Sequence, residues 1–264
     1  MSNSGIERAI VPAAGLGTRL RPLTRAIPKE MLPLGRKPVL EHVVDELKAA
    51  GILKVLFVVS PSKEMIRDYF GDGGEFGVTC DYTIQAEMKG LGDAVLRGAE
   101  WAGDEPFVVA FGDCLIRSSS SVPLARVVET HISKKSAATV LCEQLPRENT
   151  SRYGILSPVG DLDDHDAPFR MKDIVEKPRP EDAPSTLAVA ARWVLNPEVF
   201  EFIRTQTPAS DGEVNLTDPV RRMIADGAVG WGVPLLAGET RCDIGGWETY
   251  LRACVEFANA AMEK

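Results

Sequence analysis

The 264-residue chain is poor in the residues that disulfide frameworks and metal centres need. It has five cysteines, an odd number, and no Cys-x-x-Cys pair, which argues against a disulfide network or a zinc site. Cys80, Cys114 and Cys142 lie in apolar runs and are expected to be small core residues. Its three histidines, His42, His131 and His165, are scattered without a helical pair. Neither a histidine metal site nor a Ser-His-Asp arrangement has support. No stretch approaches the roughly 18 apolar residues of a membrane span. Glu7 and Arg8 stand where a secretion signal needs apolar residues, so a cytoplasmic location is expected. A surplus of positive charge is also missing, with 30 basic against 38 acidic side chains. A global basic face for nucleic acid is thereby excluded.

What remains is an ordinary soluble composition, 44% hydrophobic and 26% charged, in a chain long enough to bury a core without staples. The first half alternates. Apolar strands are expected at 6–12, 54–60, 78–84, 106–113 and 137–143. Helical patterns fall between them at 38–51, 62–71 (with Ser62 as its cap), 91–102 and 122–133. Such alternation predicts an α/β fold with a Rossmann-like, doubly wound, mostly parallel sheet. The second half has strands at 153–158, 171–177 and 187–195 with little helix between them, so a small antiparallel or mixed extension of the sheet is expected. The acidic stretch 159–168 reads as a hairpin tip, 205–212 as a surface loop, and 197–204, 217–226 and 247–264 as helices. The last helix carries apolar Leu251, Cys254, Val255, Phe257, Ala258 and Ala261, which serve a core more often than an interface. No repeat and no linker divides the chain, so a single domain is expected.

One stretch runs against the acidic balance. Residues 14–37 hold Arg19, Arg21, Arg25, Lys29, Arg36 and Lys37 against Glu30 alone. Local positive charge in an acidic protein suits a small anion. In an open α/β sheet, the loop after the first strand leaves the edge where ligands bind. Gly15 and Gly17 let backbone N–H groups approach phosphate oxygens, because no Cβ intervenes. Arg19 and Lys29 can add charge-assisted hydrogen bonds. Two rival motifs fail here. The loop lacks GxxxxGK[ST], and Leu20 stands where a dinucleotide fingerprint needs its third glycine. Asp113 ends the apolar run PFVVAFGD, where a carboxylate is costly unless paired or bound to a cation.

The stretch 13-AAGLGTRLRPLTRAIPKEMLPL-34 and the segments 85-QAEMKGLGDAV-95, 112-GDCL-115, 153-YG-154, 175-VEKP-178, 213-EVNLTD-218 and 243-DIGGW-247 together resemble the sugar-1-phosphate nucleotidyltransferases. Within them the chain is most like the bacterial UTP–glucose-1-phosphate uridylyltransferases. The resemblance implies the nucleotidyltransferase fold, with residues about 1–145 binding nucleotide and about 146–264 binding sugar phosphate. It implies UTP and glucose 1-phosphate as substrates, Mg²⁺ as cofactor, a homo-oligomer, and no nucleic-acid or membrane partner. Ala14, Gly15 and Gly17 would hold the nucleotide and its phosphates, with Arg19 on the triphosphate and Lys29 on substrate phosphate. Glu30 would lie near the nucleotide, Gln85 would read the pyrimidine edge, and Gly90 would let the base lie close. Gly154 would face the sugar, Glu176 would bind its hydroxyls, and Lys177 would grip its phosphate. Asp113 and Asp243 would be the metal carboxylates. Two departures bear on specificity. The segment 60–78 is compact, as in the thymidylyltransferase branch, and Ala191, Arg192 and Trp193 replace an expected Gly-Arg-Tyr, so Ala191 is expected to narrow the sugar pocket.

Overall fold

The computed structural model describes residues 5–209 and 212–262, with side chains up to Asn259. Its strands are β1 (Arg8–Pro12), β2 (Pro33–Leu34), β3 (Lys37–Pro38), β4 (Lys54–Val59), β5 (Thr79–Ile84), β6 (Phe107–Ala110) and β7 (Cys114–Arg117). They continue with β8 (Ala138–Gln144), β9 (Gly154–Pro158), β10 (Phe169–Glu176), β11 (Leu187–Leu195), β12 (Gly230–Pro234) and β13 (Thr240–Asp243). The helices are α1 (Val39–Ala49), α2 (Glu64–Phe70), α3 (Gly90–Leu96), α4 (Ala99–Ala102), α5 (Pro123–Ser133), α6 (Val199–Arg204), α7 (Thr217–Ala225) and α8 (Trp247–Met262).

Among the described residues, nine strands form one sheet in the order β5-β4-β1-β6-β11-β8-β12-β10-β9. All but β10 and β11 run in one direction. The expected mixed, mostly parallel sheet is therefore present. The side-chain period of two builds a core on each face. Ala9 and Val11 of β1 join one apolar cluster with Val39, Val43, Val44 and Leu47 of α1. Ile10, between them, points to the other cluster with Leu56, Val58 and Ala94. Helix α1 buries Val39, Leu40, Val43, Val44 and Leu47, one stripe at helical spacing. It ends at Ala50, followed by Gly51 at φ +84°, a backbone state that favours glycine.

Several expectations change on folding. The 91–102 pattern forms two short helices rather than one, with a turn at Arg97 and Gly98. A Cβ on Gly98 would lie 2.4 Å from Ile10 Cδ1, so this turn is pressed onto the sheet where only glycine fits. Residues 187–195 are not an extension but the central strand β11, buried along its whole length. The antiparallel annex is the β9–β10 hairpin at the sheet edge, with 159–168 as its tip. Ser62 does not cap α2; the cap position is Lys63, with no side-chain bond to the helix. Cys80, Cys114 and Cys142 are buried, as expected. On α8, Tyr250 and Ala253 are buried and Cys254 and Phe257 pack against the core, but Leu251 and Val255 are exposed. The side chain of Ala261 lies outside the described residues. No helix among the described residues is long and apolar enough to cross a membrane.

Candidate active site

The segments singled out in the sequence leave the sheet at one edge. Ala13 N donates to Val58 O and Gln85 N to Val59 O, each at 2.8 Å. Gly112 N reaches Pro12 O and Phe111 N reaches Ala191 O, each at 3.2 Å. The glycine loop, Gln85 and Asp113 are therefore held side by side at the carboxyl ends of β1, β5 and β6. Within the loop, Gly17 has φ +62° and opens a short turn, Thr18–Leu20. Thr24 Oγ1 donates to Gly17 O at 2.7 Å, closing the loop on itself. Gly15 is exposed, and its missing Cβ would lie 3.6 Å from Lys29 Nζ. The lysine ammonium thus overhangs bare loop backbone beside the buried Ala14.

Lys29 and Glu30 are neighbours in a three-residue 3₁₀ turn, Lys29–Met31. Successive side chains of such a turn diverge by about 120°, and these two go to different partners. Lys29 Nζ donates to Asp113 Oδ2. Burial works against the Lys29 ammonium, but attraction from Asp113, Glu30 and Asp243 outweighs it and raises its pKa. Burial likewise opposes ionisation of Asp113, and Lys29 overcomes it, holding the carboxyl below its ordinary value. Glu30 turns inward from the same loop. It is 1% exposed and accepts from Lys63 Nζ at 2.7 Å beneath the loop.

The two acidic candidates meet although they are distant in sequence. Strands β7 and β13 pair with Asp243 opposite Cys114, and Ile244 N donates to Asp113 O at 3.2 Å. Asp243 is fixed in a tight turn by Gly245 N at 2.6 Å. Arg19 is exposed, and its Nη2 lies 3.0 Å from the place of a Cβ on Gly245. Among the described residues no group of three or more His, Cys, Asp or Glu is arranged for a metal. A pair of carboxylates is nevertheless the donor set Mg²⁺ takes when phosphate oxygens and water complete its shell, so Asp113 and Asp243 fit that ion.

Further along the edge, β9 and β10 place Glu176 opposite Gly154. A Cβ on Gly154 would lie 2.9 Å from Thr217 Oγ1 and 3.4 Å from Glu176 Oε2. Thr217 donates to that carboxylate at 2.6 Å. Lys177 follows with its side chain largely exposed, 3.5 Å from Glu176. Pro178 predicts extended backbone at Lys177, yet its φ is +42°. Strained backbone of this kind concentrates where a side chain must be aimed. Ala191 is also left-handed at φ +61° and buried. Gly90, at φ +91°, has a second constraint: a Cβ there would lie 2.6 Å from Val214 O. The segment 213–218 thus packs on the Gly90 loop at one end and supplies Thr217 at the other.

Sequence reasoning missed Lys63 and Thr217. Lys63 reads as a solvated residue at a helix start, yet its side chain is 6% exposed, bonded to Glu30 and to Ala13 O at 2.6 Å. Thr217 lies within the 213–218 segment that the sequence did single out.

The geometry can be set beside known proteins. The family model described as nucleotidyl transferase matches residues 8–260. A UTP–glucose-1-phosphate uridylyltransferase of Streptococcus pyogenes is 37% identical over 237 residues, covering 81% of this chain and 77% of its own. One from Staphylococcus haemolyticus is 32% identical over 277 aligned positions, covering 96% and 92%. The crystal structure of a UDP-glucose pyrophosphorylase complexed with UDP-glucose superposes with a TM-score of 0.87 at 31% identity, covering 97% of this chain and 99% of that one.

Proposed function

The chain belongs to the nucleotidyl transferase family, and from that membership we propose that it joins UTP and glucose 1-phosphate to give UDP-glucose and pyrophosphate. The relatives bear the name of that activity, and the matched crystal structure holds its product. The observation that carries the reading is the Lys29–Asp113 pair beside an open glycine loop, with Asp243 brought alongside.

The attacking oxygen of glucose 1-phosphate is already anionic at neutral pH, so the reaction needs no general base. It must instead bring two polyanions together and stabilise charge on the leaving pyrophosphate. The backbone of Ala14, Gly15 and Gly17 cradles the triphosphate, with Arg19 and Lys29 as counter-charges. Gln85 reads the base, and Gly90 keeps the backbone close to it. Gly154 and Glu176 receive the sugar, and Lys177 grips its phosphate. Asp113 and Asp243 would hold Mg²⁺, which when bound neutralises phosphate charge and polarises the phosphoryl oxygens. A homo-oligomer belongs to the same reading, supported by Trp247, Leu251 and Val255, exposed at four-residue spacing on α8.

The test is pyrophosphate release with glucose 1-phosphate and Mg²⁺ across UTP, dTTP, CTP, ATP and GTP. Fast release with UTP, abolished by EDTA, is expected. Release with dTTP alone would move the protein to thymidylyl transfer. Silence with all five, and with other sugar phosphates, would overturn the reading. A second expectation concerns Lys177→Ala. Loss of one phosphate contact should raise KM for glucose 1-phosphate by about tenfold or more and leave KM for UTP within about twofold. Equal rises for both substrates would remove Lys177 from the sugar-phosphate site.

A further inference from the structure

The side-chain amide of Gln85 is fixed in one orientation by its neighbours. Its Nε2 donates to Gly90 O at 3.0 Å and to Asp93 Oδ2 at 2.8 Å. Both partners can only accept, a carbonyl in one case and a carboxylate in the other. Both N–H bonds of the amide are thereby used. Turning the amide over would set its oxygen against two acceptors. Asp93 is itself braced by Arg97, whose Nε and Nη2 each approach it at 3.3 Å. The backbone is anchored as well, by Gln85 N to Val59 O, and the residue is 3% exposed. The polar atom left for a ligand is Oε1, which takes no hydrogen bond from the described residues.

We propose that Asp93 is a positioning residue for base specificity: by holding the Gln85 amide with its oxygen free, it makes the site select a base whose edge carries an imino N–H. This rests on the reading that Gln85 meets the base. Uracil and thymine present N3–H, a donor that Oε1 accepts. Cytosine presents a lone pair at N3, which Oε1 repels. A free amide could rotate and offer N–H to cytosine, so Gln85 alone would discriminate poorly. Asp93 supplies the discrimination without touching the nucleotide, because a carboxylate cannot return a donor to Nε2. The device separates UTP and dTTP from CTP and does not separate the first two from each other.

The experiment compares wild type, Asp93→Asn, Asp93→Ala and Gln85→Ala, measuring kcat and KM with UTP and with CTP by pyrophosphate release. Asp93 is partly exposed and paired with Arg97, so both Asp93 variants are expected to stay folded, and the melting temperature of every variant, the buried Gln85→Ala included, is measured alongside the kinetics. The ratio of kcat/KM for UTP to that for CTP should fall by about tenfold or more in Asp93→Asn, which can face Nε2 with either pole. The fall should come from KM, with kcat for UTP within about threefold of wild type. Asp93→Ala should show a smaller fall, since Gly90 O still orients the amide. Two outcomes would overturn the proposal, and they are distinguishable. A ratio lost in Gln85→Ala but unchanged in both Asp93 variants would leave Gln85 as base reader and remove Asp93. A ratio unchanged in Gln85→Ala would show that the base is read elsewhere.

Discussion

Asp113→Asn is expected to lower kcat by about 10²–10³-fold while leaving the fold intact. Asparagine keeps the shape and an acceptor oxygen for Lys29, so the packing at the end of β6 survives. What disappears is charge. Lys29 then keeps Glu30 and Asp243 as nearby anions, and the proposed cation site loses one of its two carboxylates. Turnover would be followed by pyrophosphate release and folding by circular dichroism. Mn²⁺ affinity, read by electron paramagnetic resonance, gives a second measure and should weaken. A folded variant with more than about a tenth of wild-type turnover would take Asp113 out of the catalytic site.

Lys63→Met should have the largest effect on stability. Its ammonium is buried against Glu30 and Ala13 O. Burial pushes the Glu30 carboxyl up and the Lys63 ammonium down from their ordinary values, and their mutual attraction opposes both shifts. Removing one partner of a buried pair strands the other, at a cost of about 3–5 kcal/mol. For a domain of this size that corresponds to a fall in melting temperature of roughly 10 °C. Adding Glu30→Gln to Lys63→Met should recover much of the loss, because no unpaired charge is then buried. A single variant that melts with wild type, by calorimetry, would show the pair to be dispensable. The double variant also separates stability from catalysis: with the fold recovered, any remaining deficit in UTP turnover reports how firmly the pair seats the glycine loop.

The parts legible in the sequence are those whose signal is local. The strands β1, β4, β5 and β6 and the helix α1 followed from apolar spacing, and the loop with Gly15, Gly17 and Lys29 from its charge and its missing side chains. Asp113 stood out because it ends an apolar run. What escaped was set by contacts between distant segments. Strand β12, Gly230–Pro234, has two glycines and a proline, residues that weaken a strand pattern. Its glycines are required because a Cβ on Gly232 would lie 2.3 Å from Phe169 Cζ and one on Gly230 2.9 Å from Met171 Cε, side chains that cross from β10. Strands β7 and β13 have four residues each, too few for a period to emerge. The burial of Lys63 exists only once α2 has docked under the loop. The central place of β11 had a sign, since LAVAARWVL is apolar on both faces, but antiparallel insertion into a parallel sheet follows from topology, not from that run.

The ladder between β7 and β13 sets a timetable for the newly made chain. The glycine loop, Lys29 and Asp113 all emerge early from the ribosome, and the strands that seat them can collapse as they appear. Asp243 is made well after them, and its pairing across β7 brings the second carboxylate to the first. A nascent chain halted before β13 therefore holds all nine strands of the large sheet together with Arg19 and Lys29, yet only one of the two carboxylates. The two carboxylates are neighbours only once β13 has been made and paired with β7.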